Sequence, residues 1–177
     1  LHNDFVEYWK DYCRENQFMI PQTIVKGGFT RFHSVQNALS KIPNEAIVAV
    51  HDAARPFSGI NLIQNAFAEA EKHLAVIPVV PSTDTLIGID GDTVSRLDRS
   101  KIFGVQTPQV FDAKILKTAY LQPYNTGFTD DGSVVEAAGT PLHFIEGHRN
   151  NIKITTREDL DLSEWLVSKS KEREERL

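Results

Sequence analysis

Asp52 and Arg55 stand three residues apart in the stretch Ile47–Phe57, read IVAVHDAARPF, where an apolar, β-branched run stops at His51. Such a run, bounded by polar residues, reads as a buried strand. Ligands of open α/β sheets collect at the carboxyl ends of strands, so Asp52 and Arg55 fall where a substrate sits. A carboxylate and a guanidinium on one loop suit a metal-bound phosphate ligand. Taken alone, the same pair reads more simply as a capping aspartate beside a surface arginine.

Other stretches carry residues of the same kind. Gln22–Val25 reads as a short strand and runs into Lys26-Gly27-Gly28. Phe29 to Val35 follows, then an amphipathic stretch to Leu39 and Ile42. Strand, paired glycines and helix start form an arrangement that suits a phosphate or a base. Glycine lets the backbone approach a ligand, and the amides of a helix start favour anions. The spacing is neither GxxxxGK[ST] nor GxGxxG, and a Gly-Gly pair is more often only a turn. His33 has no cysteine and no second histidine at ligand spacing, so it reads as no metal ligand. Thr107, before Pro108, reads as a turn hydroxyl. Thr129 or Asp130 reads as a helix cap. Lys153, between two isoleucines, reads as a solvated edge lysine. No convincing Ser-His-Asp or Cys-His set stands out.

The elements that must position these residues alternate between strand and helix. Asn3 to Asn16 puts Phe5, Trp9, Tyr12 and Cys13 at helical spacing, a packing helix with Trp9 in the core. Ile60 to His73 is an alanine-rich helix and Leu74 to Val80 a buried strand, which indicates a largely parallel sheet. Two β-rich arms, Thr83–Ile89 and Thr93–Arg99, flank the turn Asp90-Gly91-Asp92 and form a hairpin. Its low apolar content makes it a projecting arm, and dimerisation is one way to cover such edges. Val105–Phe111 is a strand end with a rigid turn, Asp112 caps a helix over Ala113–Leu121, and a further helix through Val134 and Ala138 ends at Gly139. Leu142–Ile145 and Ile152–Ile154 read as strands. Thr156 to Asp159 has capping-box character before a last helix, Leu160 to about Lys169, and the charged tail Lys169–Leu177 reads as frayed.

With 177 residues and no linker of boundary quality, the chain reads as one domain, residues 1–177, with its hairpin arm at about 83–99. A net charge of −5 disfavours a broad nucleic-acid surface. The single cysteine, Cys13, leaves no internal disulfide and fits a cytoplasmic setting. No apolar run is long enough to span a bilayer.

The stretches GGFTRFHSV, VHDAARPF, STDTL, QTPQVF, FTDDGSVVEAAG and EGHRNNIKIT, in this order from about Val25 to Leu162, together resemble the 2-C-methyl-D-erythritol 4-phosphate cytidylyltransferase family. The resemblance implies a Rossmann-like nucleotidyltransferase fold, a three-layer α/β sandwich with a mainly parallel sheet, and a homodimer through the hairpin arm. It implies condensation of CTP with the polyol phosphate, with Mg2+, to the CDP-linked alcohol and pyrophosphate. By position, Gly28 and Ser34 lie against the cytosine. Asp52 lies by the ribose, the metal and the methylerythritol, and Arg55 supports its loop. Thr107, Thr129 and Lys153 line the phosphates. Thr85 and Arg99, with Arg96 as the fallback, bind the acceptor phosphate in the partner subunit's site. The family also begins with a strand and a glycine-rich loop, carrying an arginine and a lysine that hold the triphosphate. Nothing of that kind precedes Asn3, so the resemblance implies an N-terminally incomplete domain with little or no turnover by itself. A second departure is Leu86-Ile87, where the family often has a basic residue. A ribitol 5-phosphate cytidylyltransferase shares much of the motif set, and a non-catalytic nucleotide-binding or dimerisation module is the alternative from another class.

Overall fold

A computed structural model describes residues 1–174, with side chains through Lys169. In chain order the elements are α1 (Val6–Glu15), α2 (Arg31–Leu39), β1 (Ile47–Val50), α3 (Ile60–Ala70), β2 (Ala75–Pro81), β3 (Ile87–Asp90), β4 (Thr93–Arg96), β5 (Phe103–Val105), β6 (Gln109–Asp112), α4 (Ala113–Ala119), α5 (Asp131–Ala137), β7 (His143–Glu146) and α6 (Arg157–Glu174). The chain divides into two compact units, one of Leu1–Val48 with Asp112–Pro141, the other of Ala49–Phe111 with the residues from Leu142 onward.

The first unit is built on Phe32. Its ring stacks on Tyr120 at 4.6 Å and meets Phe128 and Tyr124, each at 5.8 Å. Leu39, Leu116, Val134 and Val135 are buried in the same unit, each side chain contributing about 1.5–3 kcal/mol of apolar burial. The helix starts are each held by a side chain. Thr30 accepts from the His33 amide at α2, and Asp112 from the Ile115 amide at α4. Asp130, not Thr129, caps α5 in a reciprocal capping box with Ser133. Asp131 is fully buried. It accepts from Arg31 at 3.1 Å and from the Tyr120 hydroxyl at 2.6 Å. Burial and the adjacent Asp131 carboxylate push the Tyr120 phenol far above its ordinary range, so it stays a neutral donor.

Two expectations fail in this unit. None of α1 is buried: its aromatic face closes on its own flank, Trp9 stacking on Tyr12 at 5.7 Å, meeting Phe18 at 5.8 Å and donating to Gln22 at 2.8 Å. Gln22–Val25 is irregular rather than a strand. The carbonyl of Val25 accepts from the Leu1 ammonium at 2.8 Å, so it is satisfied outside any ladder.

The second unit centres on β2. The sheet order is β1-β6-β2-β5, with β7 also paired to β2. The pairing of β7 with β2 is parallel, Val76 facing His143 and Val79 facing Glu146. Both β5 and β6 run antiparallel to β2, Val79 facing Val105 and Val76 facing Val110. The α/β class expected from the sequence therefore holds, while the sheet is richer in antiparallel pairs than the alternation of strand and helix suggests. The cause is the connection after β2. No helix carries the chain back, and it returns through the hairpin arm, which reverses its direction. That arm is a two-stranded sheet of its own, β3 with β4, turning at Gly91 with φ 54°.

Ile152–Ile154 is not a strand; the Ile154 amide donates to the Ala54 carbonyl at 2.9 Å instead, which pins Lys153 beside the Asp52 loop. At the start of α6 the Asp159 carboxylate accepts from the amides of Thr155 and Thr156, each at 2.9 Å. The helix continues to Glu174, past the point where a frayed tail is expected; residues 175–177 of that tail lie outside the described residues. Among the described residues no helix is long and apolar enough to cross a membrane.

Candidate active site

Four of the residues singled out by sequence converge in the second unit. Strand β1 ends at Val50 and delivers Asp52 and Arg55 on the loop that follows. The Asp52 carboxylate pairs with the Arg55 guanidinium at 3.4 Å and with the Lys153 ammonium at 3.1 Å. The side chains of Asp52 and Arg55 are 19% and 14% exposed, and that of Lys153 is 47% exposed. The two charged partners of the loop are thus largely withdrawn from water, while the lysine head still faces solvent. Two cations on one carboxylate leave a net positive centre, which suits anionic oxygens.

Thr107 enters from the bend between β5 and β6, where the Thr107–Pro108 bond is cis. Its hydroxyl accepts from the Asp52 amide at 3.0 Å and lies 2.9 Å from His51 Nδ1. The other ring nitrogen of His51 is 2.9 Å from the Arg55 carbonyl. A carbonyl only accepts, so Nε2 carries the proton, and Nδ1 accepts from the threonine hydroxyl. Each polar group of this chain of bonds has one role, and the loop is fixed from both ends.

Asn151 completes the support. It is fully buried, and its Nδ2 donates to the Thr107 carbonyl at 2.8 Å. Its own carbonyl accepts from Arg55 at 2.8 Å. Gln106 donates to the His148 carbonyl at 2.9 Å and accepts from the His148 amide at 3.1 Å. Gly147 is needed there: a Cβ on it would lie 2.5 Å from the Gln106 side-chain oxygen and 3.1 Å from the Val79 carbonyl. The sequence reading passed over His51, Gln106 and Asn151. His51 adjoins the flagged aspartate and was within reach. Gln106 and Asn151 sit in polar loops whose side chains look solvated until the fold buries them.

Three of the remaining candidates, Gly28, Ser34 and Thr129, belong to the first unit. Gly28 and Ser34 meet in the first unit, the Gly28 amide donating to the Ser34 hydroxyl at 3.0 Å. Gly28 also has a packing reason: a Cβ there would lie 2.5 Å from that of His33. Thr129, in the first unit, is exposed just before the α5 cap. Thr85 is exposed ahead of β3, and Arg99 follows β4 with its guanidinium on the Thr83 carbonyl at 3.2 Å. Arg96 is exposed on β4. A separate groove of about 520 Å³, lined by Val79, Lys101, Phe103, Val105 and Phe144, is apolar.

The family described as 2-C-methyl-D-erythritol 4-phosphate cytidylyltransferase, IspD, matches residues 7–169. The chain belongs to this family. The cytidylyltransferase of that name from Bacteroides thetaiotaomicron is 44% identical over 161 residues, covering 91% of this chain and 74% of that protein. The one from Bacteroides fragilis is 46% identical over 164 residues, with the same two shares, 91% and 74%. Among solved structures, 4-diphosphocytidyl-2C-methyl-D-erythritol synthase from Anaerococcus prevotii aligns with a TM-score of 0.80 at 28% identity, covering 94% of this chain and 78% of that one. The Thermus thermophilus cytidylyltransferase aligns with a TM-score of 0.72 at 33% identity, covering 81% and 72%. For a cytidylyltransferase the Asp52 centre has a suitable donor set. Mg2+ is commonly held by one or two carboxylates together with substrate phosphates and water, and Asp52 offers one carboxylate, set between the Arg55 and Lys153 cations.

Proposed function

We propose that the full-length protein joins CTP to 2-C-methyl-D-erythritol 4-phosphate, releasing pyrophosphate, with Asp52, Arg55, Thr107 and Lys153 in its phosphate-handling centre. The observation that carries this reading is the 3.1 Å approach of the Lys153 ammonium to the Asp52 carboxylate, with Arg55 on the same carboxylate. An oxygen of the acceptor phosphate attacks the α-phosphorus of CTP. The bond from that phosphorus to the β-phosphate oxygen breaks, and pyrophosphate leaves with the electron pair. Two anions must meet, so the enzyme's task is to offset their repulsion and the charge that builds in the transition state. Lys153 supplies an ammonium at the exposed side of the site. Arg55 holds Asp52 in place, and the Thr107 hydroxyl, oriented by His51, holds the loop amide of Asp52. Asp52 would hold Mg2+, which supplies charge neutralisation at the phosphates when bound. No side-chain nucleophile is needed, since the acceptor phosphate is already ionised.

By the family resemblance Gly28 and Ser34 are assigned to the cytosine, and Thr129 to the phosphates. Thr85 and Arg99 are assigned to the acceptor phosphate in a partner subunit's site. The proposal therefore includes a homodimer through the hairpin arm. Ile87, Ile89, Val94 and Leu97 on the arm, with Phe103, Val105 and Phe144 at the groove, are all exposed, and a second copy would cover them. The proposal places residues 1–177 within a single cytidylyltransferase domain and in the cytoplasm; for the latter the support is the unpaired Cys13.

Pyrophosphate release from CTP by the full-length protein, with each polyol phosphate in turn, tests the reading. Methylerythritol phosphate is expected to support turnover. A Lys153→Met variant is expected to lose about 10²–10³-fold in kcat, the range for removing one donor to a developing anion. Preference for ribitol 5-phosphate would reassign the acceptor. An unchanged kcat in the variant would remove Lys153 from the chemistry.

A further inference from the structure

We propose that Glu69, His73 and His143 form a binding site for one divalent transition-metal ion, of the Zn2+, Cu2+ or Ni2+ class, separate from the Asp52 centre. Among the described residues these three are the one group of at least three histidine, cysteine or carboxylate side chains whose ligand atoms all lie within 4.8 Å of one another. The Glu69 oxygen Oε2 is 3.7 Å from His73 Nε2 and 3.6 Å from His143 Nε2. Ligands at zinc-like bond lengths around a tetrahedral ion are about 3.4 Å apart, close to these separations, and the two rings need only rotate out of parallel to aim at one ion.

The backbone fixes the placement. Glu69 lies in the last turn of α3, and the His73 amide donates to the Glu69 carbonyl at 2.8 Å, which puts the two side chains on one helical face. Two residues later the chain enters β2. His143 opens β7 opposite Val76 of β2. The site thus bridges the end of a helix and the start of strand β7, which is itself tied by a ladder to β2. The carboxylate divides its oxygens: Oε1 accepts from Lys72 at 2.8 Å, while Oε2 faces the imidazoles. Lys72 orients the ligand in the way that outer partners orient metal-bound carboxylates.

The two imidazoles stack with ring centres 3.6 Å apart and planes 5° from parallel. Metal entry exchanges the stack for a splayed pair. All three side chains are part-exposed, with 24% for Glu69, 42% for His73 and 36% for His143, leaving room for that motion and for a water in the fourth position. Two imidazoles and one carboxylate select borderline ions over Mg2+, which prefers oxygen alone. The bound ion acts as a clip between α3 and β7.

The test is a calorimetric titration of EDTA-treated full-length protein with Zn2+, in excess Mg2+, with X-ray absorption on the zinc-loaded wild type. One ion per chain is expected, bound through two imidazole nitrogens and one carboxylate oxygen, with the melting temperature raised. His143→Ala and His73→Ala are each expected to weaken binding at least about 10-fold, and Glu69→Gln to do the same. His2→Gln, remote in sequence, is expected to leave it unchanged. No zinc binding, binding that survives both histidine changes, or loss of zinc to Mg2+ would overturn the site. Should the histidine variants fail to fold, the absorption spectrum decides alone, and a shell without two imidazoles refutes the proposal.

Discussion

Replacing Asn151 by aspartate is a near-isosteric change with a large expected effect. The Asn151 side chain is fully buried, and its Nδ2 donates to the Thr107 carbonyl at 2.8 Å and lies 3.4 Å from the Gln106 oxygen. In the Asn151→Asp variant a carboxylate oxygen replaces this donor and meets two acceptors. Losing the bond to a buried carbonyl costs about 1–3 kcal/mol, and holding an unpaired buried carboxylate costs several more unless it takes up a proton. The folded pKa of the new carboxyl is therefore raised above the unfolded value of about 3.9. The folded variant binds a proton that the unfolded one releases, so its stability falls as pH rises from about 4, by about 1.4 kcal/mol per unit, until the folded pKa is passed. In acid the protonated carboxyl again donates to Thr107, and the deficit shrinks. Urea unfolding across this range, with the m-value held as a check on the end states, measures it. Steady-state kinetics of the same variant report whether Thr107 and Arg55 have moved. A variant as stable as the wild type at neutral pH, or a deficit independent of pH, would refute the reasoning.

Other changes follow from the same structure. Gly28→Ala forces a Cβ to within 2.5 Å of that of His33 and 2.9 Å of the His33 carbonyl carbon; a loss of about 1–3 kcal/mol in urea unfolding is expected, and an unchanged midpoint would show that this loop yields freely. Tyr120→Phe removes the 2.6 Å bond to buried Asp131; a stability loss of about 1.5–3 kcal/mol is expected, and it stays flat through mild alkali because the phenol does not ionise there. The Thr155 amide and hydroxyl, then the Thr156 amide, hold the Asp159 carboxyl below its ordinary 3.8. A depressed folded pKa contributes stability above the unfolded value that is lost as pH falls through the folded one. Asp159→Asn is thus expected to lower the melting temperature at neutral pH and to match the wild type in strong acid, as read by circular dichroism.

The Asp52–Arg55 loop was legible in the sequence because its signal is local. An apolar run ending at His51-Asp52 fixes the strand, the strand fixes which of its ends carries Asp52, and the three-residue step to Arg55 sets the ion pair. The helix cap at Asp112 was legible for the same reason, and that of α5 was narrowed to Thr129 or Asp130, the fold deciding for Asp130. The direction of β5 and β6 was not, because it depends on where the hairpin arm returns the chain rather than on any residue in those strands. Lys153 was expected on a ladder, and its position instead follows from one bond, Ile154 to Ala54, made across the fold. Asn151 and Gln106 look like solvent-facing amides in the sequence; only the approach of Gly147 to Gln106 and of Asn151 to Thr107 gives them their role. Trp9 misled in the opposite sense, since an aromatic at helical spacing suggests a core that α1 does not enter.

The central claim is that the Asp52, Arg55, Thr107 and Lys153 side chains hold the reacting phosphates. A crystal structure of the protein with the CDP-linked product and Mg2+ tests it most directly. The account predicts the diphosphate within hydrogen-bond distance of Lys153 Nζ, with the ion on the Asp52 carboxylate. A well-ordered diphosphate bound away from both residues would contradict it.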